Sequence, residues 1–222
     1  MHAVLKAIAF GALSSASLAW AAPASEPALD LLVSYYTRVL TDEGVTREAN
    51  YTERMLRRPG HVWVARVVPA RAAAQKAAHG MNAAVLPRHV RLERGRLMLE
   101  YVDLAGKAVV AIAPPDYANV GFEGAWESAY ALADPARMAR LPVSTRASAI
   151  AGAQWREREK DGLFERVLWD KERQLALVVE SGDTGGRFYR KVQVAVAPSL
   201  TRVLPWEQLG GYARREYADY LD

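Results

Sequence analysis

The segment 163–196, LFERVLWDKERQLALVVESGDTGGRFYRKVQVAV, admits few architectures, because two polar turns divide it into three runs that alternate with a period of two. In the middle run Leu175, Leu177 and Val179 share one face, with Gln174, Ala176, Val178 and Glu180 on the other. In the third, Phe188, Val192, Val194 and Val196 oppose Tyr189, Lys191, Gln193 and Ala195, with Arg190 among the apolar set. Asp170 to Arg173 makes the first turn and Ser181 to Gly186 the second, where glycine reaches positive φ at little steric cost. The segment therefore reads as a three-stranded antiparallel meander.

A second meander precedes it. His89 to Glu93, the Arg94-Gly95 turn, Arg96 to Asp103, a turn at Gly106 and Lys107 to Ala113 repeat the same short spacing. Upstream, Tyr51 to Leu56 and His61 to Val68 flank the Arg57-Arg58-Pro59-Gly60 turn as a hairpin, with Trp63 and Val67 on one face and Val62 and Val64 on the other. Three segments follow the helical period instead. Leu29, Leu32, Val33, Tyr36 and Leu40 recur at intervals of three and four, predicting a helix over Ala28 to Leu40. From Gly121 to Leu141 the spacing of Phe122, Trp126, Ala129, Tyr130 and Ala133 predicts a helical insert, turned at Pro135. Trp206, Leu209, Ala213, Tyr217 and Tyr220 predict a C-terminal helix docked on the sheet, and the alanine-rich 70–78 run favours helix as well. The expected class is α+β: a curved antiparallel sheet, or half-barrel, with an N-terminal helix, a helical insert and a C-terminal helix.

The first 21 residues carry Lys6, an apolar run from Ala7 to Trp20 and an Ala19-Trp20-Ala21 site, the pattern of a cleaved secretory signal. The run is shorter than the about 20 residues that span a bilayer, so no membrane anchor is expected after processing. Residues 22–222 then form a single β-rich periplasmic domain. The chain has no cysteine, which excludes disulfides, lipid attachment at a cysteine and thiolate chemistry. A formal net charge of +4, with both signs interspersed, gives no footprint for nucleic acid.

Catalytic patterns are absent: there is no GxSxG elbow, and Gly182, Gly185 and Gly186 lack the order of a phosphate loop. The expectation is a protein that is not an enzyme and needs no cofactor. Glu157, Glu159 and Asp161 read as an ordinary charged run. His61, His79 and His89, with Met81 or Met98 as a soft sulfur, are the candidate metal ligands, although their spacing matches no HExxH pattern and favours solvated histidines. Trp63, Trp126, Tyr130, Trp155 and Trp169 are the candidate contacts for a ligand or partner, since aromatic rings combine large apolar area with a polar edge. Taken singly, each is better read as core or sheet-covering, since aromatic residues are common in strands.

The run VLWDKERQLALVVESGDTGGRFYRKVQV resembles the later strands of periplasmic lipoprotein-carrier proteins and the related sigma-factor-regulatory sensors, over Leu163 to Val196. That resemblance implies a half-barrel whose concave side, closed by helices, accepts an acyl chain or a partner peptide, with Gly121 to Leu141 as its lid. Residues 69–115 depart from the carrier pattern, and no binding residue carries over. The leading expectation is a non-enzymatic periplasmic carrier or sensor of an apolar ligand or lipoprotein-like partner. The alternatives are an envelope metal-handling or redox-maturation accessory using the histidines, and a docking subunit anchored by Trp126, Tyr130 and the C-terminal tyrosines.

Overall fold

A computed structural model describes residues 26–68 and 83–220. The expected signal peptide, the 70–78 helix, His79 and Met81 lie outside the described residues. The strands are β1 (Leu29–Leu40), β2 (Thr46–Arg58), β3 (His61–Arg66), β4 (Arg88–Glu93), β5 (Arg96–Asp103), β6 (Ala108–Ile112), β7 (Ala153–Lys160), β8 (Leu163–Asp170), β9 (Leu175–Asp183), β10 (Phe188–Val196) and β11 (Ala213–Glu216). All eleven join one sheet in the order β11-β6-β5-β4-β3-β2-β1-β10-β9-β8-β7. Every pairing is antiparallel except that of β11 with β6, so the sheet is mixed, and it is not closed into a barrel.

The expected α+β half-barrel with helical termini is thereby corrected. Residues 29–40 form β1 and not a helix, pairing with β2 on one side and β10 on the other. Leu31 and Val33 are buried while Leu32 is exposed, a period of two that the β-branched and aromatic content favours over the coincident helical spacing. The C-terminal helix is absent too. Gly210-Gly211 interrupts the helical period, leaving a 3-10 turn at Pro205–Gln208, the strand β11 and a second turn at Tyr217–Tyr220. Among the described residues the α-helices are α1 (Trp126–Ala131) and α2 (Pro135–Arg140), both in the insert. Leu132 ends α1 at φ 59°, and the Asp134 side chain caps α2 by accepting from the Ala136 amide.

Alternation assigns each strand two faces. On the inner face Leu31, Val33, Met55, Val62, Leu99, Tyr101, Val110, Leu168, Leu175 and Val192 pack together with Trp126, Tyr130 and Trp155, so this face is filled by the chain's own side chains. Trp155 stands on β7 and Tyr101 on β5, yet both belong to this cluster, which requires strands far apart in sheet order to approach across it. On the outer face Leu56, Trp63, Val102 and Val109 lie under Leu209, Trp206 and Tyr212. Val167 and Ala176 lie under Met138 and Leu141 of the insert. A bulge between Leu168 and Trp169 pairs those residues with Val178 and Ala176, leaving Leu177 extra and directing it inward with Leu175.

The expected loop from Ser181 to Gly186 is shorter than the sequence suggests, because β9 continues to Asp183. Gly182 is required there for close approach. A Cβ at this position would lie 2.5 Å from the Phe188 carbonyl oxygen and 2.9 Å from the Phe164 ring. Gly182→Val is expected to lower stability by about 1–3 kcal/mol through overpacking. Urea unfolding checks this, and an unchanged midpoint would show that the β9–β10 pairing has slack.

Candidate functional site

From the end of β10 the chain crosses the outer face of the sheet and reaches its far edge, where β11 joins β6. No hairpin dictates that strand's direction, which permits the parallel pairing. Two polar fastenings hold the crossing down. The first lies over β1 and β2, where the buried carboxylate of Asp30 accepts from Arg58 at 2.9 Å and from the Thr201 amide at 2.8 Å. It also accepts from the Thr201 hydroxyl. Burial alone would raise the Asp30 pKa, but the Thr201 and Arg58 donors outweigh it and hold the carboxyl below its ordinary value. Arg58 in turn donates to the Thr201 carbonyl at 2.9 Å.

Beside this fastening runs an open groove of about 490 Å³, within the size range of small-ligand sites. Leu32, Ala195, Val196 and Leu200 supply its apolar lining, and Arg54, Asp30 and Thr201 its polar side. Leu32 and Leu200 are 46% and 49% exposed. Arg54 donates to the Thr201 hydroxyl at 2.7 Å and stands 3.9 Å from Asp30, whose oxygens are engaged by Arg58 and Thr201. Its mostly exposed guanidinium therefore remains available to an anion. A second groove, about 430 Å³, lies at the tips of β7 to β10 and includes Leu163, Phe164 and Phe188. There Arg137 and Arg158 both face the carboxylate of Glu165, at 2.9 and 3.6 Å.

The second fastening brings two of the candidate histidines together. His61 opens β3 and His89 stands on β4, on the same face because Trp63 pairs with His89 and His61 with Arg91. His61 Nδ1 and His89 Nε2 are hydrogen-bonded at 3.0 Å. The ring of Trp206 lies near-parallel to both, its centroid 5.3 Å from His61 and 5.1 Å from His89. Burial, followed by the His61 and arginine charges, lowers the His89 pKa to about 3; burial also lowers that of His61. A value so far below 7 keeps the His89 ring neutral at pH 7. His89 Nδ1 is buried without a hydrogen bond and points toward Glu100 Oε2 at 3.8 Å. Glu100 is held by Arg91 at 3.1 Å and Arg214 at 2.9 Å. The Met98 sulfur lies against Arg91.

The five aromatic candidates are not gathered at one site. Trp126, Tyr130 and Trp155 are buried in the inner core, Trp63 is buried on the outer face and Trp169 is half-buried beside the insert. Trp126 donates to Glu26 at 2.9 Å and Tyr130 to the Pro27 carbonyl at 2.9 Å, both in the segment entering β1. Trp126 and Tyr130 thus face inward. Among the C-terminal tyrosines, Tyr212 packs on the outer cluster and Tyr217 against the inner one. The sequence reading missed the groove residues Leu32, Arg54 and Leu200. The signal available for Leu32 was its position between two inward residues, once 29–40 is read as a strand.

No helix among the described residues is long and apolar enough to cross a membrane. No family model and no curated protein matches the chain. Among solved structures, the chain is similar to PNGF-II, at 8% identity and a TM-score of 0.40, over 86% of this chain. It spans about a third of that protein, 32% of its length. It is also similar to a putative outer membrane lipoprotein-sorting protein domain from Vibrio parahaemolyticus, at 12% identity and a TM-score of 0.31, over 78% of this chain and 87% of that one. At these distances neither similarity assigns an activity or a ligand.

Proposed function

We propose that the protein is a non-enzymatic binding protein of the cell envelope that holds an apolar chain with an anionic end in the groove between β1, β10 and the outer crossing. The supporting observation is the pairing of exposed Leu32 and Leu200 with the available guanidinium of Arg54 in one groove. Each methylene buried there contributes about 0.8 kcal/mol, so an acyl segment of six brings about 5 kcal/mol before the cost of association. The packing of Leu31, Val33, Leu99, Tyr101 and Trp155 on the inner face supports reading the outer groove, and not a concave interior, as the ligand's position. Export would follow cleavage after Ala21, which the N-terminal residue of the mature protein tests.

A fluorescent fatty acid provides the binding probe. The full chain is expected to bind it with saturation, Leu32→Glu with Leu200→Glu to abolish binding, and Arg54→Ala to weaken it several-fold. These side chains lie at the surface, so the variants remain folded by circular dichroism. Absence of saturable binding, or equal binding by the double variant, overturns the proposal.

A further inference from the structure

The His61–His89 pair is separate from the groove and plays no part in the binding reading. One proton already lies between His61 Nδ1 and His89 Nε2, which face each other across 3.0 Å. The carboxylate of Glu100 lies 3.8 Å from His89 Nδ1 and favours the tautomer with the proton on that nitrogen, leaving Nε2 as the electron-pair donor. A carboxylate behind the other ring nitrogen is the usual setting of a metal-ligating histidine, because it orients the ring and raises its basicity. His89 is 2% exposed, and its Nδ1 makes no hydrogen bond in the resting arrangement. The groups facing the pair are Arg91 and Arg214 with Glu93, Glu100 and Glu207.

We propose that His61 and His89 form a two-coordinate site for a soft monovalent cation, cuprous ion or its silver analogue, capped by the indole face of Trp206. The donor set selects the ion. Zinc asks for four ligands and cupric ion for a tetragonal set. Among the described residues no group of three His, Cys, Asp or Glu side chains is placed to hold a metal. Two convergent imidazoles suit a d¹⁰ monovalent ion, which accepts two ligands in line. Metal–nitrogen bonds of about 2 Å require the nitrogens to separate to about 4 Å. His61 is half-buried and supplies that movement, while His89 stays fixed. On binding, the His61 proton moves from Nδ1 to Nε2, so the ion enters with no change of oxidation state and no net loss of a proton. The ring of Trp206, nearly equidistant from the two imidazoles, faces the position the ion would take and favours positive charge there.

Anaerobic titration of the full chain with Cu(I) against a chromophoric chelator, and with Ag(I) followed by tryptophan fluorescence, tests the site. One ion per chain is expected, with affinity at least ten-fold lower in both His61→Ala and His61→Gln. Trp206→Leu is expected to keep ion binding and lose most of the fluorescence response. Because His61 is only half-buried, its variants remain folded where a His89 variant would be ambiguous. Failure of the wild-type chain to compete for Cu(I), or unchanged affinity in the His61 variants, overturns the proposal. The fatty-acid probe is unaffected by these substitutions, which separates this outcome from that of the groove.

Discussion

Replacing Arg57 by alanine is expected to lower the stability of the protein by about 3–5 kcal/mol, a large share of the 5–15 kcal/mol typical of a folded domain. Arg57 is 0% exposed and, among the described residues, is the largest fully buried side chain. Its Nε donates to the Pro27 carbonyl at 3.2 Å, Nη1 to Tyr130 at 3.0 Å and Gln174 at 3.1 Å, and Nη2 to Arg173 at 2.5 Å. The guanidinium carbon also lies 3.8 Å from the centroid of the Tyr130 ring. One side chain therefore ties β2 to the segment entering β1, to α1 and to the turn between β8 and β9. In that turn Gln174 has a φ of 48°, and its carbonyl and that of Arg173 face the guanidinium. Burial lowers the arginine pKa, opposed by Tyr130 and by the charges of Glu26 and Asp170. Truncation leaves several acceptors short of donors in a space that water refills only in part, at about 1–3 kcal/mol for each group left unsatisfied. Arg57→Lys keeps the charge but not the planar fork, so an intermediate loss is expected. Urea unfolding at pH 7 decides the matter. A change under 1 kcal/mol for Arg57→Ala would mean that the four carbonyls find other partners.

Arg57 also marks where reading the sequence stops. Next to Arg58, Pro59 and Gly60 it has the composition of a solvated turn, and nothing local announces a partner 117 residues away. Where a hairpin supplies its own register the reading succeeds. The pattern around Arg94-Gly95 delimits β5 as Arg96–Asp103, and the polar turn after Asp170 marks the end of β8. It fails where two periods coincide, as in 29–40, because leucines spaced by three and four also alternate with buried neighbours and only a partner strand chooses between them. It fails again at the C-terminus, where a helical spacing is broken by two glycines and the chain is held by contacts with distant strands. The juxtaposition of His61 and His89 depends on the register of β3 against β4, and the groove depends on a crossing that fastens to β1. Both are long-range facts. The aromatic candidates show the converse limit: composition identified the large rings, but burial distributed them among three apolar clusters.

Asp30→Ala is expected to cost about 2–4 kcal/mol and to release the outer crossing, because it removes the acceptor for Thr201 and leaves Arg58 without its carboxylate. Arg58 retains the Thr201 and Arg57 carbonyls, at 2.9 and 2.8 Å, which sets the loss below that of Arg57→Ala. The pH dependence has a definite sign. Burial opposes ionisation of Asp30, yet the Thr201 and Arg58 donors prevail and keep its folded pKa under the ordinary 3.8. A carboxyl depressed in the folded state contributes stability above its unfolded pKa and loses it as the pH falls through the folded one. The wild-type chain should therefore lose its advantage over Asp30→Ala below about pH 4, and the two unfolding curves should converge as the solution is acidified. Equal differences at pH 7 and pH 2.5 would show that the carboxylate's charge is not what holds the crossing. The same variant links the fastening to the groove, since Leu200 and Thr201 reach their positions through Asp30. Faster proteolysis within 197–212, accompanied by weaker fatty-acid binding, is expected under conditions where the sheet itself remains folded. Binding that survives release of the crossing would confine the ligand to the β1 and β10 side of the groove, with Leu32 carrying the contact alone.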